Sequence, residues 1–410
     1  MNMYKNTLFN IIGMLIPGLI SIPAMAYLAR GLNVELFGIL MLSFSILGYS
    51  GLFDAGITRA VIRKIATQDG LDFDKKIMGT ALVSVFFISI IAAVGIYVGS
   101  SGITSLLNVS SNEVVEVTSS IKCLSIIIPF FLVGTVAFAY LEGKQKFLEL
   151  NKYKIFTGTI ISLFPVVAVF IHNSLFSAIV GLLIARVLVS IVAFYSCYKY
   201  LGKSFLCFKW NIFYELITFG GWITLSNIIS PLMVYADRFI LSNIMGAEKV
   251  AFFAAPTDLI QKISIIPGSL AKTIFPYFSK NSDDSEKMAR QAYISLSLVL
   301  FAILVPLFIF SKEILSFWLG SEYGINSTVV LKVLIVGFFF NALAQIPFSR
   351  IQALGNSKLT AYIHMAEIIP FFIVLFVLVH SYGFVGAAIA WSIRVILDFI
   401  VLEYFSRKMY

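Results

Sequence analysis

Long apolar stretches separated by short polar connections run along the whole chain. A helix of roughly 17–25 apolar residues crosses the hydrocarbon core of a bilayer. About twelve such stretches are present, and each predicts a transmembrane helix. Their approximate limits are 8–29, 36–58, 77–99, 119–141, 155–172, 176–198, 213–236, 250–271, 292–311, 328–347, 359–380 and 384–405. No connection exceeds roughly 20 residues, so a separate soluble domain is not expected.

The composition supports an all-α integral membrane protein. Of 410 residues, 59% are hydrophobic and 12% are charged, whereas a soluble domain is about half apolar and a quarter charged. Lys5 precedes the first apolar stretch, which is too long for the core of a cleaved signal, so we expect it to remain as a helix. Three cysteines and three histidines show no metal-ligand spacing, and no metal or other cofactor is expected.

Basic residues fall on alternate connections and thereby orient the chain. One set of connections carries most of them, namely Arg59, Arg63, Lys64, Lys75, Lys76, Lys144, Lys146, Lys152, Lys154, Lys199, Lys203, Lys209, Lys272, Lys280, Lys287, Arg290, Arg350, Lys358, Arg407 and Lys408. The opposite connections carry few. Since Lys and Arg accumulate in cytoplasmic loops, both termini are predicted to be cytoplasmic, and the net charge of +9 needs no nucleic acid to explain it.

The two halves of the chain resemble each other. Segment 139–144 is similar to 351–356, segment 184–187 to 392–395, and segment 31–38 to 246–253, in the same order along the chain. We therefore predict an N-terminal six-helix bundle, residues 1–205, and a C-terminal one, residues 206–410. With an even number of helices per half, a pseudo-two-fold axis would lie along the membrane normal, which is a known transporter plan.

Three segments carry a family pattern. Residues 29–38 read Ala-Arg-Gly-Leu-Asn-Val-Glu-Leu-Phe-Gly, residues 52–59 read Leu-Phe-Asp-Ala-Gly-Ile-Thr-Arg, and residues 236–239 read Ala-Asp-Arg-Phe. These segments resemble the Wzx-type polysaccharide flippases of the multidrug/oligosaccharidyl-lipid/polysaccharide exporter superfamily, with their Leu-Gly-x-x-x-Phe-Gly turn, their Asp-x-Gly segment and their Asp-Arg-Phe segment.

The resemblance implies two six-helix bundles around a central cavity, as in MATE exporters. It further implies a multi-pass protein of the bacterial inner membrane. The implied activity is the movement of an undecaprenyl-pyrophosphate-linked O-antigen or capsule unit to the outer leaflet by alternating access. Polysaccharide polymerase and glycosyltransferases would be the protein partners, and no enzymatic activity is expected of this chain.

Charged residues inside the apolar stretches are the informative ones, because they are costly there and mark transport pathways. Arg186 has no carboxylate three or four residues away, so it faces water, a ligand or an acid of another helix. Arg394 differs, because Asp398 stands four residues on: an intrahelical pair with Asp398 is expected, and a substrate-cavity role is the alternative. A pyrophosphate would favour Arg, whose planar fork holds two phosphate oxygens.

Further cations have two interpretations each. Lys262 is either a cavity residue or the partner of Asp258, four residues before it. Arg238 is either a substrate contact or an interface residue, and Arg30 either joins the cavity or snorkels to the membrane surface. On the inner side, Arg59, Arg63 and Lys272 either anchor the chain or form a cytoplasmic gate that captures pyrophosphate.

Intramembrane acids are the candidates for coupling to an H⁺ or Na⁺ gradient: Asp54, Asp237, Asp258, Glu367 and Asp398. His364 and Glu367 are three residues apart and either relay protons or form an ordinary hydrogen-bonded pair. Asp54 is expected to close its helix structurally against a neighbouring cation, with ion coupling as the alternative.

Rival functions are a MATE-like small-molecule or drug exporter and a membrane-embedded polysaccharide polymerase or ligase. The unpaired mid-membrane charge is an arginine, which favours an anionic substrate over the cations of drug exporters. The outer loops are short and lack a polar cluster for catalysis. No Walker A pattern is present, so direct use of ATP is not expected.

Overall fold

The computed structural model describes residues 3–54, 56–67, 70–202, 205–227, 229–278 and 284–408, and these residues form helices with short turns between them. No described residue lies in a β-strand, which confirms the all-helical prediction. Eight helices in this part of the chain are long and apolar enough to cross a membrane. Helices suit such sequences because each closes its own backbone hydrogen bonds away from water. The predicted count of twelve stays a prediction.

The described chain divides into two compact units, residues 1–235 and 236–410. Unit 1 begins with Met3–Gly31 (α1), Val34–Ser50 (α2), a 3₁₀ turn at Gly51–Asp54, Ile57–Thr67 (α3) and Leu71–Leu106 (α4). It continues with Val114–Gly143 (α5), Phe147–Ile171 (α6), Leu175–Leu201 (α7), Trp210–Asn227 (α8) and the first part of Ile229–Met245 (α9). The predicted bundle boundary at 205 concerns the sequence repeat and stays a prediction.

Helices α5 and α7 of unit 1 pack in parallel through polar-to-backbone contacts. Ser190 donates to the carbonyl of Phe130, and Cys197 donates to the carbonyl of Ala137 at 3.1 Å, seven residues further along both helices. Gly134 lies beside Ser190, so the two backbones approach closely there. Small residues at such positions are typical of membrane helix pairs.

A short helix, α3, was not predicted. Its buried apolar residues recur every three or four positions, and polar residues lie between them. One apolar face of α3 therefore packs against α4, α5 and α8. Gly56 precedes it with φ +69°, and a Cβ there would stand 2.2 Å from the carbonyl oxygen of Gly220. Only glycine fits this turn, which seats α3 on α8.

The connection between α7 and α8 is docked on α4. Phe205 is buried against Phe194, with 5.3 Å between the ring centroids. The Thr80 hydroxyl accepts the Lys209 backbone N–H at 3.1 Å. A Cβ on Gly79 would lie 2.0 Å from the carbonyl oxygen of Phe205. These contacts fix residues 205–209, which the sequence shows only as a loop.

Unit 2 contains the rest of α9, followed by Ala247–Ile263 (α10), Ile265–Phe278 (α11), Asp284–Ile309 (α12), Ser311–Leu319 (α13), Ser321–Asn326 (α14), Thr328–Ala353 (α15) and Ser357–Lys408 (α16). The predicted eighth span, 250–271, is interrupted at Ser264 between α10 and α11. Helices α13 and α14 occupy the predicted connection between spans nine and ten.

Helix α16 consists of two antiparallel arms, residues 357–382 and 384–408, which match predicted spans eleven and twelve. Gly383 breaks the helix with φ 60° and ψ −138°, a conformation that side chains disfavour. The arms pack on each other and on α15 around Ile363, Leu402 and Ala344. The second arm also bonds to α15, where Ser392 donates to the carbonyl of Val333 at 3.0 Å.

The turns after α5 and α15 share one geometry. In each, three successive backbone N–H groups return to the preceding helix, and the second residue has positive φ, 55° at Gln145 and 84° at Gly355. The equivalent of Gly355 is therefore Gln145, two residues beyond the glycine that the sequence comparison aligned with it. This shared turn supports the internal repeat, while the predicted axis stays a prediction.

Candidate functional site

Arg186 lies in the middle of α7 with no acidic partner among the described residues. No salt bridge joins it to a carboxylate, and its Nε is buried without a hydrogen-bond acceptor in the described part of the chain. Its guanidinium carbon stands 4.7 Å from the ring centroid of Phe131 on α5. The prediction that no local carboxylate neutralises Arg186 agrees with this geometry.

The aromatic contact compensates only part of the cost of this charge. A desolvated cation over a ring gains about 2 kcal/mol, whereas moving an ion out of water costs several kcal/mol. Because part of the desolvation cost of Arg186 is uncompensated, binding of an anion that reaches it is favourable. Arg186 and Phe131 together are called the α7 arginine site below.

Unit 2 holds a second, larger group of charges. Arg238 is buried in α9, with a relative exposure of 2%, and its Nη2 lies 2.5 Å from Oδ1 of Asp258 on α10. Asp237 is also buried, accepts the backbone N–H of Arg238 at 2.7 Å, and lies within electrostatic range of Arg394. The structure thus places Arg238 in a buried ion pair within the protein, which disfavours its interpretation as a substrate contact.

The expected intrahelical pair between Arg394 and Asp398 is wrong. Nε of Arg394 lies instead 3.7 Å from Oε2 of Glu367, on the opposite arm of α16. The antiparallel arms bring these two residues to one level, whereas no salt bridge of the described residues joins Arg394 to Asp398. Arg394 also stands over an aromatic ring, 5.5 Å from the centroid of Phe371.

Three of the predicted groups meet beside this ion pair. Ligand atoms of His364, Glu367 and Asp398 all lie within 4.8 Å of one another. Nε2 of His364, both carboxylate oxygens of Glu367 and Oδ1 of Asp398 are buried without hydrogen-bond partners in the described structure. Two carboxylates this close repel each other unless a proton or another cation lies between them. These three residues with Arg394 are called the α16 acid cluster below.

Two cavity candidates remain, one in each unit. Lys262 interacts electrostatically with Asp258 on its own helix, as the pair interpretation expected. Arg30 is exposed in the last turn of α1, which fits a side chain that reaches the membrane surface.

The predicted cytoplasmic gate residues are divided between the two units. Arg63 lies over the ring of Phe219 on α8 at 4.3 Å, and Lys64 forms an ion pair with Glu215 on the same helix. Arg59 is exposed on α3, and Lys272 is exposed on α11. In unit 1 these basic residues therefore fasten α3 to α8, a contact that sequence spacing alone does not reveal.

Asp54 has a local structural role. Its Oδ1 accepts the backbone N–H of Gly56 at 2.7 Å and so stabilises the turn before α3. This agrees with a structural role for Asp54, but its partner is a backbone N–H, and no salt bridge of the described residues joins it to the expected cation.

Sequence reasoning missed a buried ion pair at the start of α4. Asp74, whose side chain is 3% exposed, lies 2.9 Å from Nζ of Lys144 in the turn after α5. The two residues are far apart in sequence, and Lys144 looked like one more cytoplasmic loop cation. The only sequence signal was an acidic residue at the edge of an apolar stretch.

Comparison with known proteins now decides the family. Residues 3–282 match the model of a family described as "Polysaccharide biosynthesis protein". The chain belongs to this family. Over 414 aligned residues it is 43% identical to the "Putative O-antigen transporter" of Shigella flexneri, covering 100% of this chain and 99% of that protein. The resemblance to Wzx-type flippases is thereby confirmed, and this member of the polysaccharide biosynthesis family is a transporter-type membrane protein rather than an enzyme.

Solved structures confirm the fold class. The lipid II flippase MurJ in an inward closed conformation matches with a TM-score of 0.83 at 15% identity, covering 98% of this chain and 87% of that one. An inward-facing multidrug resistance MATE transporter matches with a TM-score of 0.77 at 17% identity, over 97% and 98% of the two chains. At these identities the likeness establishes the MATE-like fold of this family member and nothing about its substrate.

Proposed function

We propose that this chain carries a lipid-linked oligosaccharide from the cytoplasmic to the outer leaflet of a bacterial inner membrane by alternating access. The observation that carries the proposal is its 43% identity, over its whole length, to a protein named as an O-antigen transporter. Glycosyltransferases that build the unit and a polymerase that consumes it are the partners this function requires. Both termini lie in the cytoplasm, as the distribution of basic residues favours.

The α7 arginine site supplies the charge that such a substrate needs. A glycan and a pyrophosphate cannot cross hydrocarbon unaided, since buried charge is costly without partners. Arg186 offers a guanidinium that no acid of the described chain neutralises. It would hold the pyrophosphate or an acidic sugar during the crossing.

A knockout in the source bacterium tests the function, scored for surface polysaccharide and for the leaflet that holds the labelled lipid-linked unit. Loss of surface glycan with intermediates trapped in the inner leaflet is the expected result. Unpolymerised units in the outer leaflet would identify a polymerase or ligase instead. Normal glycan with altered drug tolerance would identify a small-molecule exporter.

The α16 acid cluster is our candidate for energy coupling, and a proton is the ion it favours. Glu367 and Asp398 bring two carboxylates together with His364, an arrangement typical of proton relays in transporters. The Arg394 guanidinium, 3.7 Å from Glu367, repels a second cation such as Na⁺ at the same carboxylate.

Transport by the purified protein in liposomes tests the coupling. We expect uptake of a labelled lipid-linked unit to follow an imposed pH gradient and to ignore a Na⁺ gradient. Glu367→Gln and Asp398→Asn should remove the response to pH, and Asp54→Asn serves as the control because Asp54 only stabilises a turn. A response to Na⁺ alone would overturn the proton proposal and leave the flippase proposal intact.

A further inference from the structure

A long cleft runs between the two arms of α16. Its volume is about 520 Å³, and its walls come from residues 359–374 of the first arm and residues 390–405 of the second. Almost all of the lining is apolar, as at Ile363, Phe371 and Val401. Tyr362 and Leu397 on its rim are exposed, so the cleft opens to the surroundings of unit 2.

The length of this cleft distinguishes among possible occupants. At 1.5 Å per residue, residues 359–374 extend for about 22 Å along the helix. One leaflet contributes about 15 Å of a hydrocarbon core that is about 30 Å thick. The acyl chain of a phospholipid that stays in its leaflet would leave the inner part of the cleft unfilled. A longer chain, such as a polyisoprenoid, would occupy all of it.

The mouth of the cleft is basic. Because the arms are antiparallel, the start of α16 and its end lie together, which brings Lys358 close in level to Arg407 and Lys408. All three side chains are exposed, and Arg407 is held by Glu403 at 2.6 Å. Under the predicted topology this end is cytoplasmic. An anionic headgroup at the mouth with its tail in the cleft matches both the charge and the polarity of these surfaces.

We propose that the α16 cleft binds the polyisoprenoid tail of an anionic carrier lipid, taken up from the cytoplasmic leaflet. The inference rests on the proposed function for the identity of that lipid, and it assigns the tail to a site separate from the α7 arginine site. Arg394 and Glu367 lie on the wall of the cleft. A bound tail excludes water from this ion pair and strengthens its interaction. Binding of the tail thereby changes the electrostatic environment of the α16 acid cluster.

Photolabelling tests the site without requiring transport. The full-length protein in nanodiscs is irradiated with a polyprenyl phosphate that carries a diazirine near the end of its tail. A phosphatidylglycerol with a diazirine-labelled acyl chain is the parallel probe, and labelled residues are located by mass spectrometry. We expect the polyprenyl probe to label both arms of α16 along the cleft, and the phospholipid probe to label it several-fold less at equal concentration.

Two tryptophan variants of one arm sharpen the result. Ala366 lines the cleft, whereas Ala361 is exposed on the same arm outside it. Ala366→Trp should lower polyprenyl labelling about tenfold, which corresponds to about 1.4 kcal/mol of lost binding, while Ala361→Trp should leave it unchanged. Equal labelling by both probes, labelling elsewhere in the chain, or indifference to Ala366→Trp would overturn the proposal.

The two proposals fail differently. If the probe labels the cleft but the knockout still exports polysaccharide normally, the proposed polyprenyl-lipid site stands and the proposed flippase function is wrong. If the knockout traps intermediates but the probe labels residues outside α16, the proposed flippase function stands and the cleft is not its tail site.

Discussion

Each unit holds an intramembrane arginine over a phenylalanine ring, but only one of the two has an acid beside it. In unit 1, Arg186 lies 4.7 Å from the ring of Phe131 and no carboxylate of the described chain pairs with it. In unit 2, Arg394 lies 5.5 Å from the ring of Phe371 and 3.7 Å from Glu367. The same cation–ring contact is thus part of two different electrostatic settings.

The presence or absence of an acidic partner predicts whether each arginine serves ligand binding or the stability of the folded protein. A buried charge that already has a partner contributes to the folded state, and removing the partner leaves an uncompensated charge. A charge without a partner contributes little to folding and is available to a ligand. Arg186 should therefore matter mainly for transport, and Arg394 mainly for the integrity of unit 2 and its acid cluster.

Arg186→Ala should give the largest effect. We expect transport of the lipid-linked unit to fall about thirty-fold to several-thousandfold, since truncating one partner of a buried charge pair costs about 2–5 kcal/mol. The thermal unfolding midpoint should not fall, because no acid loses its partner. Leaflet-resolved assay of labelled intermediates in a complemented knockout measures the first quantity, and thermal unfolding of the purified protein the second.

Arg186→Lys is the matched control for that variant. It keeps the charge and loses the planar fork, so we expect partial transport. Arg30→Ala, at an exposed position of α1, should transport normally. Normal transport by both Arg186 variants at equal expression would show that the unpaired charge is not a substrate contact.

Arg394→Ala should destabilise unit 2 by about 3 kcal/mol, the lower end of the range for breaking a buried pair. The reason is that Glu367 and Asp398 lose their neighbouring cation while remaining close together. Thermal or denaturant unfolding measures the change. Adding Glu367→Gln should restore most of the loss because it removes the stranded charge. An equally large loss in the double variant would mean that the arginine acts through packing on Phe371.

Sequence reasoning anticipated Arg186 and misassigned Arg394 for the same physical reason. The three- and four-residue spacings describe neighbours on one helix, so they reveal the absence of a local acid near Arg186. They also suggested Asp398 for Arg394, but antiparallel packing of the arms offered Glu367 instead. Partners on other helices depend on tertiary packing, which a single sequence does not encode in any spacing.

The fold shows the same contrast between local features, which the sequence predicts, and long-range contacts, which it does not. The apolar period predicted the long helices and the break at Gly383, because length and hydropathy are local properties. Helix α3 escaped prediction since its eleven residues are half polar and resemble a basic loop. The docking of Phe205 and the Asp74–Lys144 pair were equally invisible, as each joins residues distant in sequence.

Replacing one glycine by alanine in each unit should change the free energy of unfolding differently in the two units. A Cβ at Gly337 would stand 2.5 Å from the hydroxyl oxygen of Ser392, whereas a Cβ at Gly134 would stand 3.4 Å from that of Ser190. Gly337→Ala should cost about 1–3 kcal/mol through overpacking. Gly134→Ala should be neutral or stabilising by up to about 1 kcal/mol, because alanine favours the helix. Thermal unfolding of both variants checks the contrast, and Ser392→Gly should not rescue Gly337→Ala, because the new Cβ would also stand 2.8 Å from the Cα of Ser392.

The smallest expected effect concerns the two serines themselves. Ser190 and Ser392 each donate to a backbone carbonyl of a neighbouring helix, Phe130 in unit 1 and Val333 in unit 2. Interhelical hydrogen bonds in membranes contribute about 0.6 kcal/mol on average, so Ser190→Ala and Ser392→Ala should each lower stability by about that amount and leave transport unchanged. The two losses should add in the double variant, since the serines lie in different units and share no acceptor. A transport defect in Ser190→Ala alone would instead mean that its hydroxyl, one turn from Arg186 on α7, helps to set the arginine for its anion, and would extend the α7 arginine site along that helix.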